Sequence, residues 1–288
     1  DKYNNPHIVT MHSHNTLYHP FPGDNSVRVW NNSGKQVKIF EYSNYVKGMA
    51  TYTDAVGNTH IVVAYNDNAG DGFVRVWNPL SGAEEVSFKP SDTDGGGDTI
   101  DFNIATYVDI SNIPHIVCSY KNLNDNPNKS KIVRVFDTSG IPEPEKKLKI
   151  YEGENIITTF NDKSGKPYIV TKYNNALYVR DHEAKQKIGI RDNTIKKTLN
   201  WNNSNPIATT TYKDVDNNPY IVVAYEKTKN KNIVCVWDPI SLNKKKPLMI
   251  LNHDKDDELS DVATYKGVDN IRYIVTATKK SNVYKWSL

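Results

Sequence analysis

Metal or acid–base chemistry in this chain would have to come from eight histidines and 33 aspartates and glutamates. His12, His14 and His19 lie in or beside the stretch Ser13 to Asn25, where neutral imidazoles could gather around a cation. No cysteine or carboxylate stands beside them at ligand spacing, so a metal is not expected there. Asp92-Thr-Asp-Gly-Gly-Gly-Asp98 places three carboxylates around a glycine-rich turn, a composition suited to Ca2+. It lacks the bidentate Glu of an EF-hand and occurs once, so it reads as a connecting loop. Asp1, Asp54, Asp109, Asp162 and Asp214 recur at near-constant spacing, and on a common face they would form an acidic ring at a channel mouth, attractive to a cation or basic peptide. An Asp that opens a tight turn does the same job with no ligand, and that is the favoured role. No glycine-rich phosphate loop, no Gly-x-Ser-x-Gly and no Cys/His pair set for nucleophilic attack is present. The chain is therefore expected not to be an enzyme and to need no cofactor.

The Asp column belongs to a repeat. An aromatic or His followed by Ile-Val recurs at His7, His60, His115, Tyr168, Tyr220 and Tyr273, with spacings of 53, 55, 53, 52 and 53. Because Tyr replaces His at this position, packing rather than ligation is expected of it. Eight residues earlier stands a ring, at Tyr52, Tyr107, Phe160, Tyr212 and Tyr265, each preceded by Thr. The Asp column falls between the two, with Gly267 as the exception.

Each copy holds four short segments rich in β-branched and aromatic residues, the composition of strands. Segment A is Ala-Thr-Tyr-like, B is His-Ile-Val-Val-like, and C is Val27-Arg-Val-Trp-Asn31, Val74-Arg-Val-Trp-Asn78, Val133-Arg-Val-Phe-Asp137 or Val234-Cys-Val-Trp-Asp238, with weaker copies ending at Asp181 and Ser287. D alternates, as in Val37–Phe40, Val86–Phe88, Leu148–Tyr151 and Lys187–Ile190. The Asp-led A–B connections, such as residues 54–58, carry Gly or Asn for a hairpin turn. Segment B is apolar at consecutive positions and is expected to be buried on both faces. D, with its lysines, is expected to be a solvated outer edge.

Four antiparallel strands per copy at this period fit the blades of a propeller. Phe73-Val-Arg-Val-Trp-Asn-Pro-Leu-Ser-Gly82 and Asn232-Ile-Val-Cys-Val-Trp-Asp238 resemble the WD40 repeat family. The period is longer than that family's and the Gly-His dipeptide before strand A is missing. The Asp-rich turns also resemble, more distantly, the calcium loops of FG-GAP propellers. The expectation is an all-β β-propeller of six four-stranded antiparallel blades, with residues 1–288 forming one domain of repeats near 1–45, 46–98, 99–153, 154–200, 201–256 and 257–288. The first repeat lacks strand A and the last lacks strand D, so a segment upstream of Asp1 is expected to complete the ring.

The WD40 resemblance implies a non-catalytic scaffold that docks partner proteins in a larger assembly on a loop-bearing face. The alternative is a secreted propeller binding cations or carbohydrate. Leu17, Tyr18, Phe21, Tyr42, Tyr45 and Trp201 lie in D–A and B–C connections and are the candidate partner-binding residues, because aromatic anchors dominate interface energetics. With 36 Lys and Arg against 33 acidic residues, the net charge of +3 gives no reason to expect nucleic acid. The lysine runs Lys227–Lys231 and Lys244–Lys246 fall in different connections and make no joint patch. No apolar stretch approaches the ~20 residues a membrane helix needs, so no membrane insertion is expected. Cys118 and Cys235 sit in separate strands, which argues against a disulfide framework and favours a reducing, cytoplasmic compartment. The sequons at Asn31, Asn128 and Asn202 do not establish secretion in so Asn-rich a chain.

Overall fold

A computed structural model of the chain describes residues 7–12, 25–31, 33–42, 46–67, 72–90, 104–121, 130–151, 155–181, 195–200, 204–228, 231–240, 246–253, 258–267, 271–280 and 282–288. Every regular element among the described residues is a strand, and the strands form six antiparallel sheets. The chain divides into two compact units, Asp1–Ile156 and Ile157–Leu288, with the boundary at the start of the fourth repeat.

The first unit holds three sheets. In chain order they are β1 (His7–His12), β2 (Ser26–Asn31) and β3 (Gln36–Glu41); β4 (Val46–Thr53), β5 (Thr59–Asn66), β6 (Gly72–Trp77) and β7 (Glu84–Phe88); and β8 (Ile104–Val108), β9 (Pro114–Lys121), β10 (Ser130–Asp137) and β11 (Pro142–Tyr151). In the second unit, β12 (Asn155–Asn161), β13 (Pro167–Tyr173), β14 (Ala176–Arg180) and β15 (Ile195–Leu199) make one sheet. β16 (Pro206–Lys213), β17 (Pro219–Thr228), β18 (Lys231–Trp237) and β19 (Met249–His253) make the next, and β20 (Leu259–Lys266), β21 (Arg272–Thr278) and β22 (Val283–Ser287) the last. Within each sheet the strands pair in sequence order. These are the A, B, C and D segments, with three strands in the first and last sheets and four in the others.

One expected strand is corrected. The D partner of β14 is β15, with Leu177 opposite Leu199, and not Lys187–Ile190, which lies outside the described residues. Leu199 is fully buried in one core cluster with Phe160 and Leu177, the apolar anchor of this outer strand.

Sheets stack because strand B is apolar on both faces. Ile61, Val62, Val63 and Ala64 of β5 are all inaccessible to solvent. Ile61 and Val63 pack with Val27, Val29 and Phe40 of the preceding sheet, while Val62 and Ala64 pack with Ile104 and Ile116 of the following one. The second unit repeats this through Ile221 and Val223 on one side and Val222 and Ala224 on the other. The Trp of strand C points back toward the sheet before it, with Trp77 4.8 Å from the Phe40 ring. In the fourth repeat Arg180 takes that position, fully buried, and its Nε donates to the Thr171 hydroxyl at 3.1 Å. Outer strand β3 leaves Val37 and Ile39 exposed, as an edge strand does. Cys118 and Cys235 are buried free thiols. Burial raises both pKa values, that of Cys235 to about 12, so neither is held as a reactive thiolate.

Candidate docking surface

Consecutive strands run in opposite directions, so the A–B and C–D turns of a sheet emerge at the same end. Both turns are built the same way. Asp54 Oδ1 accepts the N–H groups of Val56 (3.0 Å) and Asn58 (2.8 Å), and the Gly57 N–H returns to the Asp54 carbonyl. Asp109 binds Ser111 and Ile113, Asp162 binds Ser164 and Lys166, and Asp214 binds Asp216 and Asn218 in the same register. In the C–D turns Asn31 and Asp137 do likewise. Three residues after the A–B aspartate, the backbone enters the left-handed region at Gly57, Asn112, Gly165 and Asn217, and Gly and Asn tolerate it best.

The second carboxylate oxygen reaches the ring that opens strand B. His60 Nε2 lies 3.0 Å from Asp54 Oδ2, His115 Nε2 lies 3.1 Å from Asp109 Oδ2, and the Tyr220 hydroxyl donates to Asp214 Oδ2 at 3.0 Å. The same rings stack on their cross-strand partners. Tyr52–His60 and Tyr107–His115 centroids are 4.7 Å apart, and Tyr212–Tyr220 centroids 5.0 Å. His and Tyr interchange here because each offers a flat ring to the neighbouring strand and a polar tip to the Asp. His60 Nδ1 also meets Glu85 Oε2 at 2.6 Å. Partial burial acts to raise the Asp54, Asp109 and Asp214 pKa values. The hydrogen bonds from turn amides and from His60, His115, Asn218 and Tyr220 outweigh it and hold all three carboxyls below the usual range.

The sequence-predicted residues fare differently. Asp54, Asp109, Asp162 and Asp214 all occupy A–B turns, with Oδ1 of each accepting turn amides; Asp1 lies outside the described residues. So do Leu17, Tyr18, Phe21, Tyr45, Trp201, His14 and His19, and the Asp92–Asp98 segment. Tyr42 is corrected as a docking residue. It is only 8% exposed, its ring sits 5.0 Å from Tyr65, and its hydroxyl accepts the Trp77 indole N–H at 2.7 Å. Desolvation raises its pKa, so the phenol stays neutral. Tyr42 joins two sheets. Among the described residues no three or more His, Cys, Asp or Glu side chains gather as a metal site requires.

Several of the turns present aliphatic side chains outward. Because the Asp ties the turn amides inward, the tip side chains point away from the sheet. In the first unit Val56 and Ile110 are each 78% exposed, and Leu80, Ile113 and Ile141 are exposed beside them in A–B and C–D turns. In the second unit Val215 is 93% exposed. The candidates named from the sequence belong to D–A and B–C connections, at the opposite end of the sheets.

The second unit also carries a cleft of about 550 Å3 at this end. Asp162, Lys163 and Ser164 of one A–B turn line one side. Asn218 and Tyr220 at the start of β17, with Asp238 and Ile240 after β18, line the other.

No protein-family model and no curated protein matches the chain. Solved structures do. A crystal structure of BBS1N in complex with ARL6DN aligns over 91% of this chain and 72% of its own, with a TM-score of 0.61 and 11% identity. The C-terminal WD40 domain of Sif2 aligns over 92% and 76%, with a TM-score of 0.51 and 11% identity. A chain of the mitotic checkpoint complex aligns over 91% and 71%, with a TM-score of 0.51 and 13% identity. At such identities the likeness speaks to the fold, and with the six antiparallel sheets it makes this an all-β propeller.

Proposed function

We propose that the chain is a non-catalytic interaction scaffold, a WD40-like propeller that docks partner proteins at the sheet ends where its A–B and C–D turns emerge. The observation that carries this reading is the set of solvent-facing aliphatic side chains on the turns of the first unit, Val56, Leu80, Ile110, Ile113 and Ile141. Single exposed apolar residues are ordinary, but repeated ones on rigid hydrogen-bonded turns at one end of neighbouring sheets offer preformed contact area. Two of the similar folds support it by their setting, since BBS1N is seen in complex with ARL6DN and another belongs to the mitotic checkpoint complex.

The test is quantitative affinity capture from the native source with the wild-type chain and the double variant Val56→Asp/Ile110→Asp. Proteins held by the wild type should fall about tenfold or more with the variant, as expected when hydrophobic anchors are replaced by charge. Both changes sit on exposed turn tips, so the melting temperature should stay within a degree or so. Unchanged capture by the double variant rules out this end of the sheets as the docking surface.

A further inference from the structure

We infer that the cleft in the second unit receives an arginine side chain from a peptide segment of a partner. This rests on the scaffold reading and gives that partner a chemistry.

The cleft wall is rich in acceptors, and several of its donors are turned inward. The Ser164 hydroxyl donates to Asp162 Oδ1 at 2.6 Å, the Tyr220 hydroxyl to Asp214 Oδ2 at 3.0 Å, and Asn218 Nδ2 to the same Asp214 oxygen at 2.9 Å. What the lining presents is mostly oxygen: the carboxylates of Asp162 and Asp238, whose Oδ1 atoms also hold the amides of Ser164 and Ile240, the hydroxyl lone pairs of Ser164 and Tyr220, and the Asn218 amide carbonyl. Two carboxylates against the single ammonium of Lys163, itself exposed on the turn tip, leave the lining net negative. A phosphate or carboxylate ligand is disfavoured by that balance. A neutral sugar both donates and accepts at each hydroxyl, and here Lys163 is the one cationic donor on the lining. Guanidinium has five N–H donors and no acceptor, which matches the wall.

The apolar part of the lining makes the match specific to a side chain on a peptide. Pro219, Ile240 and the Tyr220 ring share the cleft, and they suit the methylene stem of an arginine and a stacked guanidinium plane. A volume of about 550 Å3 exceeds one side chain and leaves room for flanking backbone. Between the second and third repeats the two carboxylates recur as Asp54 and Asp137, but Val56, Ile113 and His115 stand in place of Ser164, Asn218 and Tyr220. Between the fifth and sixth, Ile271 and Arg272 replace Asn218 and Pro219, and Ser287 replaces Asp238.

The full chain is titrated with Nα-acetyl-arginine amide and followed by 1H–15N NMR at the backbone amides of Ser164 and Ile240 and the side-chain amide of Asn218. Saturable shifts with Kd on the order of millimolar are expected for one side chain, weakening as salt is raised. Asp238→Asn should weaken binding about threefold to tenfold, and its amide oxygen can still accept the Ile240 N–H. Lys163→Glu, on an exposed tip where folding is not at stake, should tighten binding about threefold, since it removes a like charge and adds an attractive one. Three results would each overturn the inference: no shifts at tens of millimolar, equal shifts from Nα-acetyl-norleucine amide, or shifts from methyl glucoside with none from the arginine probe. Because the titration uses the isolated chain, its failure leaves the Val56 and Ile110 capture result standing, and the converse also holds.

Discussion

The Thr106 hydroxyl donates to the Thr51 carbonyl oxygen at 2.6 Å, joining strand A of one sheet to strand A of the sheet before it. The second unit repeats the link, from Thr264 to the Thr211 carbonyl at 3.1 Å and from Thr211 to the Thr159 carbonyl at 3.4 Å. At Thr106, Thr211 and Thr264 the recurrent Thr ahead of the strand A ring is therefore an inter-sheet tie. Strand A has one of its two ladder edges inside its own sheet, and the Thr hydroxyl engages a carbonyl on the facing strand. Thr106→Val keeps the shape and removes the donor. It should cost about 1 kcal/mol, the net worth of one hydrogen bond, with Thr106→Ser restoring most of it. Urea unfolding of the three proteins checks the order; equal stability of Val and wild type would mean the tie carries no energy.

Acid should attack the A–B turns first. Asp54, Asp109 and Asp214 have folded pKa values below the ordinary 3.8. A carboxyl depressed in the folded state adds stability that is fully present above its unfolded pKa and is lost as pH falls through the folded one. The melting temperature should thus hold near neutrality and drop from about pH 4 downward. Asp214→Asn should lower stability at pH 7 and flatten the acid limb, because the amide neither titrates nor accepts at both positions. An acid limb as steep as that of the wild type would assign the loss to other groups.

Most of the architecture was legible because repetition displays it. The Asp at the turn, the ring eight residues before the strand B anchor and the apolar B core recur at fixed offsets, and the sheets follow from them. The link between columns was harder to see. Two rings eight residues apart around a five-residue turn must face each other across the hairpin, yet His60 as an Asp54 partner emerges only when the second carboxylate oxygen is placed. The fourth strand D was misjudged because Lys187–Ile190 alternates more cleanly than Ile195–Leu199; burial of Leu199 and of Lys197, whose ammonium donates to the Asp238 carbonyl, decided the pairing. Tyr42 was misjudged because a residue just past an exposed edge strand reads as surface, whereas the next sheet covers it.

That covering makes Tyr42 a stability residue. Tyr42→Phe keeps the ring against Tyr65 but strips the acceptor from the Trp77 indole N–H. A buried donor left without a partner costs about 1–3 kcal/mol. Tyr42→Phe should accordingly lower the melting temperature by several degrees and leave partner capture unchanged. A docking residue would show the reverse, lost capture at constant stability.

The C–D turns separate two reasons for glycine. Gly34 and Gly140 both have positive φ, 76° and 83°. A Cβ on Gly34 meets nothing within 4 Å, whereas one on Gly140 falls 2.6 Å from the Phe88 ring of the preceding sheet. Gly34→Ala should cost about 1–2 kcal/mol, from the left-handed backbone alone. Gly140→Ala should cost that amount plus about 1–3 kcal/mol for moving a ring packed 5.0 Å from Phe136. Gly34→Asn should be milder than Gly34→Ala, because Asn112 and Asn217 adopt the same conformation in the A–B turns at φ 61° and 66°. Denaturant unfolding of the three variants tests the ranking. If Gly34→Ala and Gly140→Ala were equal in cost, the approach of Phe88 would not be what fixes glycine in the third repeat.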